Sequence, residues 1–200
     1  MQRLVRFASW SYVAACALGV AFVWQYQSRN AAPPPGTRPF GVRASTNPAV
    51  AWFQTMKPYC NGVEVEVHLR YTPAPKTLEG SGYEAACWAL AGKIDRARVV
   101  LDAVPESHRY QAVGIVFNVA HPVADAGDDR AAGPIMEMVV DYWPNHYMAL
   151  YHAGMSEYAL EQMDVARTHL KSFLQYYAQE DGWRRNAIDV LQRLEPGFRP

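Results

Sequence analysis

The sequence predicts an all-α protein: a single transmembrane helix, then a solenoid of helical hairpins with about three repeats plus a capping helix, and one short extended arm between the two. Three observations predict it. Residues 7–24 form an uncharged apolar run, a proline-rich stretch follows, and three helical segments further on resemble one another at separations of 35 and 34 residues. The implied organisation is an anchor over 1–28, a linker over 29–46, a helix plus extended arm over 47–77, and a helical repeat domain over 78–200.

The apolar run reads FASWSYVAACALGVAFVW. At about 1.5 Å per residue it spans roughly 27 Å, close to the hydrocarbon thickness of a bilayer. Trp10 and Tyr12 flank one end and Trp24 and Tyr26 the other, as aromatic belts at the headgroup level do. A cleaved signal needs a small-x-small site followed by polar sequence, which the run to Trp24 does not offer. Val13-Ala14-Ala15-Cys16 loosely resembles a lipobox, but the chain stays apolar beyond Cys16. The segment therefore reads as an uncleaved single-pass anchor in contact with lipid. Arg3 and Arg6 flank its first end and Arg29, Arg38 and Arg43 follow its second, so charge alone does not decide the orientation; with Arg38 and Arg43 far down the linker, the nearer charges favour a cytoplasmic N-terminus in the inner membrane and a periplasmic or otherwise extracytoplasmic domain. Residues 30–39, NAAPPPGTRP, favour polyproline II and make a semi-rigid spacer.

Asn47-Pro48 reads as an N-cap with proline at N1, opening a short helix. Asn61-Gly62 marks a turn. Residues 63–71, VEVEVHLRY, alternate apolar and polar and predict a strand, the extended arm, with no partner strand elsewhere in the chain. Cys60 and Cys87 are the pair available for a disulfide in an oxidising compartment; two buried free thiols are the alternative.

From Ser81 to Leu194 the pattern is helical throughout. The segments 92–104, 127–144 and 161–177 each pair a small residue with a large apolar one four positions later: Ala97 with Leu101, Ala132 with Met136, Ala166 with Leu170. Small residues let the two helices of a hairpin approach; large ones fill the groove between stacked hairpins. With Gly92, Gly127, Pro144, Leu150, Gly154 and Phe173, this resembles the tetratricopeptide repeat, a 34-residue antiparallel helix pair. Val116 and Leu150 stand where that family places a first-helix tryptophan, and Pro122 and Pro134 are expected to kink or cut helices of the second repeat. Residues 182–194 carry Trp183, Ala187, Ile188, Leu191 and Leu194 on one face and suit a terminal cap.

Lys+Arg and Asp+Glu are both 19, so the basic excess of a nucleic-acid binder is absent. No HExxH, GxSxG, CxxC or phosphate-loop motif occurs, and the six histidines read as structural or surface residues. Asp125, Asp128 and Asp129 read as helix-capping acids rather than a calcium loop. The chain is expected to be no enzyme and to hold no metal or cofactor. In tetratricopeptide proteins the first helices of successive hairpins line a peptide-holding groove. Carried over by position, the resemblance implies partner-binding roles for Phe117, His121, Tyr151, Met155 and Tyr158. It implies a membrane-anchored, non-catalytic interaction scaffold that holds other proteins. The alternative is an accessory structural subunit of a large membrane protein complex, such as a respiratory or photosynthetic assembly, with Ala14, Ala15, Ala17, Gly19 and Ala21 giving the anchor a close-packing face.

Overall fold

Asn47 caps the first described helix: its side chain satisfies the first free amides, accepting from Ala49 N at 2.9 Å and Val50 N at 3.4 Å. The computed structural model describes residues 47–200, which belong to one compact unit. The expected anchor, its interfacial residues Trp10, Tyr12, Trp24 and Tyr26, and the linker lie outside the described residues. Among the described residues no helix is long and apolar enough to cross a membrane, and no strand occurs. The elements are α1 (Pro48–Met56), a 3₁₀ turn (Lys57–Tyr59), α2 (Val65–Tyr71), α3 (Leu78–Leu90), α4 (Ile94–Asp102), α5 (Glu106–Asp125), α6 (Asp129–Tyr142), α7 (Tyr147–Ala159), α8 (Met163–Tyr176) and α9 (Gly182–Leu194).

Three antiparallel hairpins, α3–α4, α5–α6 and α7–α8, stack in chain order and α9 covers the last. Each turn inside a hairpin has the same structure. Gly92, Gly127 and Glu161 adopt positive φ of 72°, 76° and 63°. Their amides bond back to Ala89, Ala124 and Tyr158, and the next amides reach Trp88, Val123 and Glu157, the two bonds of a Schellman cap. The recurrence of this cap, 35 and then 34 residues on, is the repeat expressed in backbone geometry. The small and large residues behave as their spacing requires: Ala97, Leu101, Ala132, Met136, Ala166 and Leu170 are all fully buried. The close approach is tightest in the third hairpin, where a Cβ on Gly154 would meet Leu170 Cγ at 2.7 Å.

Two expectations are corrected. Residues 65–71 are helical, so the predicted extended arm does not form. Val65 and Leu69, four apart, both face inward, while Val63, Val67 and Tyr71 are exposed. The alternating sequence thus satisfies a one-turn helical spacing, and Asn61 starts that turn by accepting from the Val63 and Glu64 amides at 3.1 Å. An unpaired strand would leave its amides without partners, whereas a helix satisfies them internally. Pro122 and Pro134, expected to kink or cut helices, do not cut them: they sit inside α5 and α6, which continue past them. Burial of Val113, Val116, Ala120, Ile135, Met138 and Val139 around them holds both helices in place.

The N-terminal segment is joined to the array by a small core of its own. Trp52, Phe53, Met56, Val65 and Leu69 pack together with the Cys60–Cys87 disulfide, which ties the end of the 3₁₀ turn to α3. Of the two readings the sequence left open for these cysteines, the bridged one is realised. Trp52 Nε1 donates to the Thr72 carbonyl at 3.0 Å and fixes the exit of α2.

Candidate functional site

The first helices of the second and third hairpins, α5 and α7, place a continuous line of rings on one side of the array. Phe117, His121 and Asp125 succeed one another at four-residue intervals on α5 and so share a face. Opposite them α7 contributes Tyr151 and His152, and the turn before it contributes Trp143 and His146. Trp143 meets His146 at 4.7 Å between ring centroids, His146 meets Phe117 at 4.2 Å, Phe117 stacks on His121 at 4.8 Å, and His121 meets His152 at 4.8 Å. Trp183 of α9 closes the line against Tyr151 at 5.0 Å and His152 at 5.6 Å.

At the Trp143 end the ring line borders a cleft of about 550 Å³ lined by Gly114, Phe117 and Asn118 of α5 and by Trp143, His146, Tyr147 and Met148. His146 Nδ1 accepts from Ala149 N at 3.2 Å and caps α7, which requires an unprotonated Nδ1. Burial pushes its pKa below the usual histidine value, in agreement with that role. Tyr147, 43% exposed, projects at the rim.

The expected partner-binding residues divide into two groups. Phe117 and Tyr151 are buried within the ring line, and the Tyr151 hydroxyl oxygen accepts from Asn186 at 3.4 Å. His121, Met155 and Tyr158 are partly exposed. The structure brings Phe117 and His121 together with Tyr151 through His152, while Met155 and Tyr158 pack at the edge of the α7–α9 core.

Two buried polar clusters escaped the sequence. Glu157, almost wholly buried, is contacted by His169 Nδ1 at 2.7 and 2.9 Å across the third hairpin. That hydrogen bond raises the His169 pKa against the opposing effect of burial. His121 and His152 converge on Asp125, with His121 Nε2 at 3.5 Å and His152 Nε2 at 3.7 Å from Asp125 Oδ1. Burial above all, and next the neighbouring His121, push the His152 pKa down to about 4, so its imidazole is neutral near pH 7. The one signal that could have found part of it is the four-residue spacing of His121 and Asp125, one helical turn apart; His152 comes from the next hairpin and carries no local signal. The other two acids of that stretch have structural roles. Asp128 caps α6 by accepting from Ala131 N at 3.2 Å, and Asp129 accepts from the Ser156 hydroxyl at 2.9 Å.

Residues 148–179 match the tetratricopeptide repeat family model. The matched stretch is the α7–α8 hairpin, and the two preceding hairpins share its turn geometry and its buried small-and-large pairs. The domain is therefore tetratricopeptide-like in fold, an architecture of protein-interaction modules. No curated protein and no solved structure compared with the chain matches it.

Proposed function

We propose that the chain is a membrane-anchored, non-catalytic scaffold that holds a partner protein in the groove along α5 and α7. The observation that carries the reading is the cleft between Phe117, Trp143, His146 and Tyr147, set between α5 and the turn that leads into α7. Aromatic rings with polar edges suit a protein-binding surface, since they contribute large contact area at low entropic cost. Phe117 and Tyr151 serve as the packed support of that surface; Tyr147, His121, Met155 and Tyr158 offer the contacts. The Cys60–Cys87 disulfide supports an extracytoplasmic location for the domain, because such bonds persist in oxidising compartments. The apolar run over 7–24 supports the tether, and the proline-rich linker supplies its reach.

Gentle detergent extraction of the native membrane, with capture through a C-terminal tag, tests the reading. A partner that accompanies the wild-type chain and is lost from Tyr147→Ala, with the helical content unchanged, is the expected result. A partner retained by that variant but lost when residues 7–24 are exchanged for an unrelated anchor replaces the groove with the anchor as the interface, and makes the chain an accessory subunit of a membrane complex. Recovery of the chain alone contradicts both.

A further inference from the structure

We propose that His121, Asp125 and His152 form a binding site for a divalent transition-metal ion of the zinc type, clamping the second hairpin to the third. The three side chains each offer one ligand atom, and these atoms lie within 4.8 Å of one another. A tetrahedral zinc site with metal–ligand bonds of about 2.0–2.1 Å needs ligand atoms roughly 3.3 Å apart. The contacts of the two Nε2 atoms to Asp125 Oδ1, 3.5 and 3.7 Å, are already close to that spacing and too long for N–H···O hydrogen bonds.

A second, independent observation points to a ligand. The His152 side chain is only 6% exposed, and its Nε2 has no hydrogen-bond partner; the buried Nε2 of His121 has none either. Buried nitrogens are nearly always satisfied, because leaving one unpaired forfeits its hydration without return. Two such atoms aimed at one carboxylate are therefore unusual, and a cation between the three groups satisfies all of them at once. The surroundings hold the rings in place: His121 stacks on Phe117 at 4.8 Å, and Trp183 sits edge-on to His152 at 5.6 Å. Asp125 is the last residue of α5, where the helix dipole favours positive charge.

The ligand set selects the ion. Two imidazole nitrogens and one carboxylate suit zinc, cobalt or nickel, whereas calcium and magnesium prefer all-oxygen shells. Three protein ligands leave a coordination position open, and the Asp125 side chain, 46% exposed, places that opening toward solvent. A water or a side chain of a bound protein can fill it. Because His121 and Asp125 come from α5 and His152 from α7, the ion couples two hairpins that otherwise meet through apolar contacts and the Ser156–Asp129 hydrogen bond.

The test uses the full, tag-free chain in detergent after chelator treatment, titrated with ZnCl₂ by calorimetry and followed by thermal unfolding. The expected result is one ion per chain, a Kd in the micromolar range or tighter, and a raised melting temperature that CaCl₂ and MgCl₂ do not reproduce. Asp125→Asn, at a partly exposed position, keeps the fold and weakens zinc binding at least tenfold; His121→Gln does the same, while the exposed-site variant His108→Gln binds as wild type. Cobalt gives the visible absorption of a tetrahedral site in the wild type and loses it in Asp125→Asn. Zinc affinity equal in wild type, Asp125→Asn and His121→Gln identifies an adventitious ion only and overturns the site. Stabilisation by calcium equal to that by zinc overturns the choice of ion class.

Discussion

The N-terminal segment, residues 47–77, and the hairpin array that follows solve the same problem by different means. The array repeats one unit: a Schellman turn, a small residue and a large one, each fully buried where two helices meet. No hairpin covers its own apolar face, so stability accumulates by stacking, and α9 closes the end with Ala187, Val190 and Leu191 buried. The segment α1–α2 has no repeat to lean on. It relies on a small core around Trp52, Phe53 and Met56, one indole hydrogen bond, and a covalent tie to α3. Periodic packing distributes the load, while the appended segment rests on one small core and the disulfide bond that joins it to α3.

Breaking that bond gives the largest expected effect. The disulfide closes a loop with a sequence separation of 27, which in the chain-entropy account contributes about 3–4 kcal/mol. A Cys60→Ser/Cys87→Ser chain, or the reduced wild type, is expected to expose the amides of α1 and α2 to hydrogen exchange while α5–α8 stay protected. Uniform loss of protection across the array contradicts the division. Next in size is Gly154→Ala. Its Cβ meets the Leu170 side chain at 2.7 Å and the Leu170 backbone nitrogen at 3.2 Å, leaving little room to yield. A loss of about 1–3 kcal/mol in denaturant unfolding is expected, against a negligible loss at Gly182, where an added Cβ meets nothing within 4 Å.

Smaller effects sharpen the comparison among the three hairpin turns. Glu161 holds the positive φ that glycine takes in the other two, so Glu161→Gly is expected to raise the unfolding free energy by about 0.5–1 kcal/mol, the reverse of the usual glycine penalty. Gly92→Ala and Gly127→Ala are expected to lower it. The pH dependence is the smallest signal. Glu157 raises the His169 pKa in the fold, so the folded chain holds that proton above the unfolded value of about 6.5. Its stabilisation is full below that pH and fades as pH rises through the raised value. Glu157→Gln is expected to flatten the fall in melting temperature above about pH 6.5; an unchanged slope contradicts the assignment to this pair.

The array was legible because its signals are local and repeated. Ala97, Ala132 and Ala166 reveal the period, and each large partner lies one turn away. Asn47-Pro48 gave the start of α1 for the same reason: an N-cap is a two-residue signal. The helix over 65–71 was misread because VEVEVHLRY satisfies a two-residue alternation as fully as it satisfies the Val65–Leu69 helical spacing, and tertiary contact with α1 and α3 decides between them. Pro122 and Pro134 were expected to kink or cut helices because their cost is local, whereas the packing that keeps both helices uncut is not. The cysteine pairing stayed open, since spacing alone does not say whether two thiols meet. Of the candidate site, Phe117 and His121 were placed by repeat position, but the convergence of His152 on them comes from hairpin stacking, which the sequence encodes only through the array as a whole.

The groove along α5 and α7 is tested most directly by site-specific photo-crosslinking in the native membrane. A photoreactive residue at Asn118, which lines the cleft, is compared with one at Gln175, an exposed position on the second helix of the third hairpin. The account predicts a discrete crosslinked protein from Asn118 and none from Gln175. The same product from both positions, or a product from Gln175 alone, contradicts a groove-bound partner.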